Sequence, residues 1–181
     1  MSQKHDLYGV SDIAVSELVS RIAMGGTFFD CCSSKGEISY ALRRHFPKDA
    51  IITNDINHEL PATHHFDAKR PENWSRFHNT KDTPDWIVSN PPFAKAFPIL
   101  VNAYDTTRTG IAFLLRLSFI EPTYERQDWL DENPPTQLIV LPRYSFTEDG
   151  KIDSITTAWF IWDKRYPWKQ PHIHVVKKSK L

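Results

Sequence analysis

Apolar residues fall along this chain in two rhythms. Residues 11–23 (SDIAVSELVSRIA) place Ile13, Ala14, Leu18, Ile22 and Ala23 at helical spacing, with Ser11 or Asp12 as the cap. Gly25-Gly26 ends that helix. Residues 27–29 (TFF) then read as a short buried strand closing on Asp30. A polar loop, CCSSKG, leads into an expected helix over 37–45, stopped by Pro47. Further short apolar runs predict strands at 50–53, 63–66, 85–89, 110–117, 137–141 and 156–162. Helical stretches are expected at 71–77, where Pro71 suits a first turn, at 94–104 in spite of Pro98, and at 124–131. Residues 143–154 read as a polar loop, and 173–176 as an edge strand or a disordered tail.

Strands alternating with helices imply a mostly parallel sheet with right-handed crossovers. The last two long strands lack a helix between them and are expected to pair antiparallel. The fold class is therefore α/β: a Rossmann-like, seven-stranded, mostly parallel sheet with an antiparallel C-terminal strand. One domain is expected over 1–181, with a C-terminal tail from about 165 and no separate target-recognition domain. In such sheets ligands bind beyond the carboxyl ends of the strands. Asp30, Asp55, Asp67 and Asn90 all fall at such ends.

Composition narrows this picture only in part. The 181 residues are 40% hydrophobic and 24% charged, as in soluble globular proteins. Lys+Arg and Asp+Glu both number 22, so net charge gives no argument for a nucleic-acid partner. A local basic face remains open, with Arg116, Arg143, Lys151, Lys164 and Arg165 as its phosphate-contacting candidates. The adjacent cysteines Cys31 and Cys32 build no disulfide framework, which points to a reducing, cytoplasmic setting. No signal peptide and no run of about 18 apolar residues is present, so no membrane span is expected.

Candidate chemistry lies at the strand ends. Asp30 to Gly36 (DCCSSKG) joins a strand, a small-residue loop and a helix start, an arrangement that can cradle a nucleotide-like ligand. Its single glycine does not make a dinucleotide fingerprint. Asp55 stands where doubly wound folds bond ribose hydroxyls, and Asp67 can accept from an adenine amino group. Each can equally be a turn or cap residue. Ser89-Asn90-Pro91-Pro92-Phe93 ends its strand on a stiff corner, because each proline fixes φ and lacks an N–H. The Asn90 amide oxygen and the Pro91 carbonyl are two acceptors for one amino group, and Phe93 can stack on the flat ring that carries it. Such a corner suits methylation of a planar amine by an activated sulfonium. The histidine pairs His64-His65 and His172-x-His174 lie in different regions and no cysteine shows metal-ligand spacing, so no metal is expected.

The order of elements, with Asn-Pro-Pro-Phe after the 85–89 strand, resembles the S-adenosylmethionine-dependent amino-methyltransferases. Residues 116–126 (RLSFIEPTYER), 141–146 (LPRYSF) and 149–164 (DGKIDSITTAWFIWDK) are similar to phage and prophage DNA adenine-N6 methyltransferases, and 8–18 to the helix that precedes their cofactor loop. The resemblance implies that Asp30, Cys32, Ser34 and Gly36 border the methionine part of S-adenosylmethionine, that Asp55 holds its ribose, and that Phe66 with Asp67 holds its adenine. It also implies that Asn90, Pro91, Pro92 and Phe93 form the catalytic corner for a base extruded from DNA. Asn-Pro-Pro-aromatic is shared with RNA guanine-N2 and protein glutamine methyltransferases, so RNA or protein stays an alternative substrate. A non-catalytic accessory protein, a homodimer and a recognition partner stay open too. Ser34 stands where that family usually has glycine.

Overall fold

The computed structural model describes residues 3–143, 155–166 and 172–176. Along the chain run α1 (Gln3–Val19), β1 (Phe28–Asp30), α2 (Glu37–His45), β2 (Ile51–Thr53), β3 (Trp86–Ser89), α3 (Ala96–Thr106), β4 (Gly110–Arg116), α4 (Gln127–Glu132), β5 (Gln137–Val140), β6 (Thr157–Asp163) and β7 (His172–Val175). The seven strands form one sheet in the order β2-β1-β3-β4-β6-β5-β7. β1 to β4 pair in parallel, β6 runs antiparallel to both β4 and β5, and β7 is parallel to β5. This is the expected mostly parallel sheet with an antiparallel strand near its C-terminal edge.

Strands β1, β3 and β4 read as unbroken apolar runs because both faces of the sheet are covered. Alternate residues feed two cores. Phe28, Trp86, Val88, Ala112 and Leu114 pack with Ala14, Val15 and Leu18 of α1 and Leu42 of α2. Phe29, Ile87, Ile111, Phe113 and Leu115 pack with Ile99 and Leu100 of α3. The tryptophans are tied as well as buried. The indole N–H of Trp159 donates to Ala14 O at 2.7 Å, and that of Trp162 to Asn133 O at 2.9 Å. Gly110 has no room for a side chain: a Cβ there would lie 2.7 Å from the Trp86 ring and 2.6 Å from Trp162 O.

Several expectations shift. The first helix begins well before residue 11 and ends at Val19, although Ile22 N–H still donates to Leu18 O at 3.0 Å. Pro98 falls at the third position of α3, where no intrahelical donor is required, so the helix tolerates it. The expected helix over 71–77 is a 3₁₀ turn, Pro71–Trp74. The expected strand at 63–66 does not form, and only an isolated bridge joins His64 to Asn54. Side chains replace the ladder there. Thr63 N–H donates to Thr53 Oγ1 at 2.9 Å, and the Asn54 amide exchanges two bonds with the Phe66 backbone at 3.0 and 3.1 Å. The sheet regains its seventh strand at the other edge, where residues 172–175, left open above between strand and tail, pair with β5.

Candidate functional site

The carboxyl ends of β1, β2 and β3 carry Asp30, Asn54-Asp55 and Ser89-Asn90 to one edge of the sheet. The loop after β1 is bent by two left-handed residues, Ser34 (φ 49°) and Gly36 (φ 89°). These are two of the positions assigned above to the cofactor loop. Gly36 takes this conformation without a Cβ penalty, whereas Ser34 holds it against one. Asp55 fixes the bend by accepting the Ser34 N–H at 2.8 Å on Oδ2, and it accepts the Asn57 N–H at 2.9 Å on Oδ1.

Asp30 is fully buried beneath this loop. Its Oδ1 accepts from the Ser89 hydroxyl at 2.7 Å, and Ser89 Oγ in turn accepts the Cys32 N–H at 3.1 Å. Ser89 therefore joins the loop to the strand that delivers Asn90. Asp30 Oδ2 and Ser33 Oγ, both buried, have no hydrogen-bond partner among the described residues. Burial pushes the Asp30 carboxyl up to about 7, against the opposing pull of the Ser89 hydroxyl. The Cys32 thiol is pushed well above its usual value by its hydrogen bond with Cys31 and by burial, so it stays protonated.

A cavity of about 300 Å³ opens in front of these ends, lined among others by Cys32, Asp55, Phe66, Asp67, Pro92 and Lys95. Phe66 belongs to an aromatic group with Phe29, Trp74 and Phe77, at ring separations of 6.3, 6.1 and 6.2 Å. Burial works to raise the Asp67 carboxyl. The Lys69 N–H at 3.0 Å and the Lys69 ammonium at 3.4 Å, with Arg70 beyond, outweigh it and hold the carboxyl below the usual carboxylate range.

Asn90 is exposed at the corner, and the chain then turns through a 3₁₀ segment, Phe93–Lys95, opened by a bond from Lys95 N–H to Pro92 O at 2.8 Å. This turn is a partition. Pro92 and Lys95 face the first cavity, while Phe93 and Ala94 line a second one of about 250 Å³ with Leu115, Arg116, Phe119 and Arg126.

The structure thus gathers Cys32, Asp55, Phe66, Asp67 and Pro92 around one cavity. Asp30, Ser34 and Gly36 shape its loop without lining it, and Phe93 serves the neighbouring cavity. Ser89, Asn54 and Lys95 were not read from the sequence. A serine closing an apolar strand and an asparagine before the strand-end aspartate were the available signals for the first two. Of the five basic candidates, Arg116 lies on the second cavity and Arg143 is exposed. Lys164 and Arg165 do not belong there. They sit at the far end of the sheet, because β6 runs antiparallel, and they are spent on Tyr104 O, Thr107 O and Asp163. Lys151 and the loop over 144–154 lie outside the described residues. Among the described residues no three His, Cys, Asp or Glu side chains are grouped to hold a metal, and no helix is long and apolar enough to cross a membrane. His64 instead meets the Arg76 guanidinium at 3.2 Å, and burial together with that charge lowers its pKa.

The sequence matches no protein-family model and no curated protein. Solved structures match it by shape. A modification subunit of a putative type I restriction enzyme from Vibrio vulnificus YJ016 superposes with a TM-score of 0.64 at 13% identity, over 96% of this chain and 47% of that one. The M protein of the type I restriction enzyme EcoKI gives 0.62 at 9% identity, over 87% and 43%. A putative class I S-adenosylmethionine-dependent methyltransferase from Listeria monocytogenes gives 0.61 at 11% identity, over 95% and 64%. The chain spans less than two thirds of each of these proteins. At such identities the likeness establishes the fold, which is that of class I S-adenosylmethionine-dependent methyltransferases.

Proposed function

We propose that this protein transfers a methyl group from S-adenosylmethionine to the exocyclic N6 amino group of adenine in DNA. The observation that carries the reading is the partition: the short turn that follows Asn90 and Pro91 puts Pro92 and Lys95 on a cavity holding Asp55, Phe66 and Asp67, and Phe93 on a second one with Phe119 and two arginines. A methyl donor and a flat acceptor would meet across that turn. The restriction-enzyme modification subunits that share the fold favour DNA as the acceptor polymer.

The residues present fit the cofactor. Each Asp55 oxygen accepts one backbone N–H and keeps a lone pair for a ribose hydroxyl. Phe66 offers a ring to the adenine and Asp67 an acceptor for its amino group. The buried, unpartnered Asp30 Oδ2 places unsatisfied acceptor capacity behind the loop where a cationic methionine group would lie. When bound, S-adenosylmethionine supplies an electrophilic methyl group on a sulfonium sulfur.

The chain's own task is orientation. The Asn90 amide oxygen and the Pro91 carbonyl accept from the two N–H bonds of the target amine, which directs its lone pair toward the first cavity. Pro91 and Pro92 make that pair of acceptors stiff, and misplacement by about 1 Å can cost ~10²-fold in rate. Phe93 holds the base by stacking. No strong general base is needed, because the proton leaves an amine already carrying the new methyl group.

Labelled methyl transfer to unmethylated duplex DNA tests the reading. Incorporation is expected, and Asn90→Ala should lower it by about 10²-fold or more through lost alignment. Label entering RNA or a glutamine-containing peptide instead of DNA would replace the substrate. Absence of calorimetric binding to S-adenosylmethionine would favour a non-catalytic accessory role.

A further inference from the structure

The second cavity contains a contact that the proposed reaction does not use. The Arg116 guanidinium lies over the Phe93 ring, 4.7 Å from its centroid. Phe93 is half-buried against the core cluster that holds Ile87, Leu100 and Leu115, and Arg116 lies over its ring. A base stacked on Phe93 and the guanidinium cannot occupy the same surface together.

The two arginines of this cavity differ in how they are held. Arg126 stacks on Phe119 at 5.0 Å and also donates to Glu121 O at 3.1 Å and Ser118 O at 3.3 Å, which fixes it to the wall. Arg116 is exposed at the carboxyl end of β4, and among the described residues the Phe93 ring is the one partner of its guanidinium. Among the described residues no carboxylate lies within ion-pair distance of it. A guanidinium over a half-buried ring at the surface is a weak contact, whereas a phosphate group offers it a charge-assisted, bidentate one through two oxygens.

We infer that Arg116 is a displaceable cover on the Phe93 ring that a backbone phosphate of a DNA strand draws aside. Arg116 thereby selects a base presented by a polyanion over a neutral planar amine. A nucleoside or a glutamine side chain must uncover Phe93 without giving the charge a new partner. A base within a strand brings that partner a few ångströms from the ring. This rests on the reading of Phe93 as the base platform, and it adds a reason for nucleic acid over a protein glutamine as the substrate.

The binding arm of the test needs neither cofactor nor turnover. The full chain is titrated, by 2-aminopurine fluorescence, with a deoxyoligonucleotide carrying one 2-aminopurine and separately with the free 2-aminopurine deoxynucleoside. In Arg116→Ala, oligonucleotide binding should weaken about tenfold and the salt slope should fall by about one phosphate contact. The free nucleoside should bind about two- to fivefold more tightly, the loss of one cation–π contact. Arg116→Gln should repeat both shifts and Arg116→Lys should keep the salt slope, which separates charge from any damage to the fold. Weakening of both ligands together would make Arg116 a wall of the base site and overturn the cover, as would no change in either or tighter oligonucleotide binding. Opposite shifts in the two ligands without methyl transfer would sink the reaction and leave the cover standing. Methyl transfer with parallel shifts would do the reverse.

Discussion

Asp30, at full burial, has one oxygen bonded to Ser89 and one that finds no hydrogen-bond partner among the described residues. Its carboxyl, raised from 3.8 to about 7, therefore titrates where most carboxylates are already ionised. The native state binds this proton more tightly than the unfolded chain. Stability from this group is complete below about pH 4 and is lost as pH rises through 7. Between pH 5 and pH 8 the wild type should lose roughly 2–3 kcal/mol by this route. Urea midpoints for wild type and Asp30→Asn at the two pH values check it. An equal pH slope in both proteins would show that Asp30 is not the group responsible. Ser89 carries the same event toward function, because the hydroxyl bonded to Asp30 also receives the Cys32 N–H in the cavity wall.

At the scale of elements, the segment after β2 shows side chains doing the work of a strand. Asn54 is 1% exposed, and its amide holds Cys31 O at 2.9 Å and both backbone groups of Phe66. This single side chain sets the distance between the loop after β1 and the aromatic wall of the first cavity. Asn54→Ala should cost about 2–3 kcal/mol, since it leaves Cys31 O and the Phe66 N–H and C=O with one partner fewer in a buried setting. The denaturant midpoint should fall with m unchanged. Calorimetry should show weaker binding of S-adenosylmethionine than the stability loss alone explains, because the Phe66 wall is released. A binding constant unchanged from wild type would show that Phe66 is not a cofactor contact.

Over the whole molecule, the antiparallel β6 sends basic residues to two opposite ends. Arg116 ends β4 beside the candidate site, while Arg165 follows β6 at the far end and pairs with Asp163, which is 1% exposed. Arg165 also donates to Ala23 O at 2.8 Å, locking the segment after α1 against the sheet. Its own pKa is raised, chiefly by the bond to Asp163. Arg165→Ala should destabilise the fold by about 2–3 kcal/mol, because the buried Asp163 carboxylate keeps only the residue-165 backbone N–H at 3.1 Å and loses its two guanidinium bonds. It should leave the salt dependence of DNA binding as it was. A shallower salt slope in Arg165→Ala would place DNA at that end of the sheet.

The sequence by itself determined six of the seven strands, the mostly parallel character of their sheet and the Asn-Pro-Pro-Phe corner. Apolar runs long enough to be buried on both faces, and two prolines that end a strand, are local facts that tertiary context does not overturn. The grouping of Asp55, Phe66 and Asp67 was implied by the family resemblance, and the structure brings the three to one cavity without the strand expected at 63–66. The tertiary structure alone decided what needed distances between remote residues. The bond of Ser89 to Asp30 spans 59 positions, and the Arg116 cover on Phe93 brings together the ends of two neighbouring strands. The failure of 63–66 as a strand has the same origin. Its β propensity was real, but Asn54 and Thr53 met its backbone with side chains, and pairing partners are not written in the pattern of one segment.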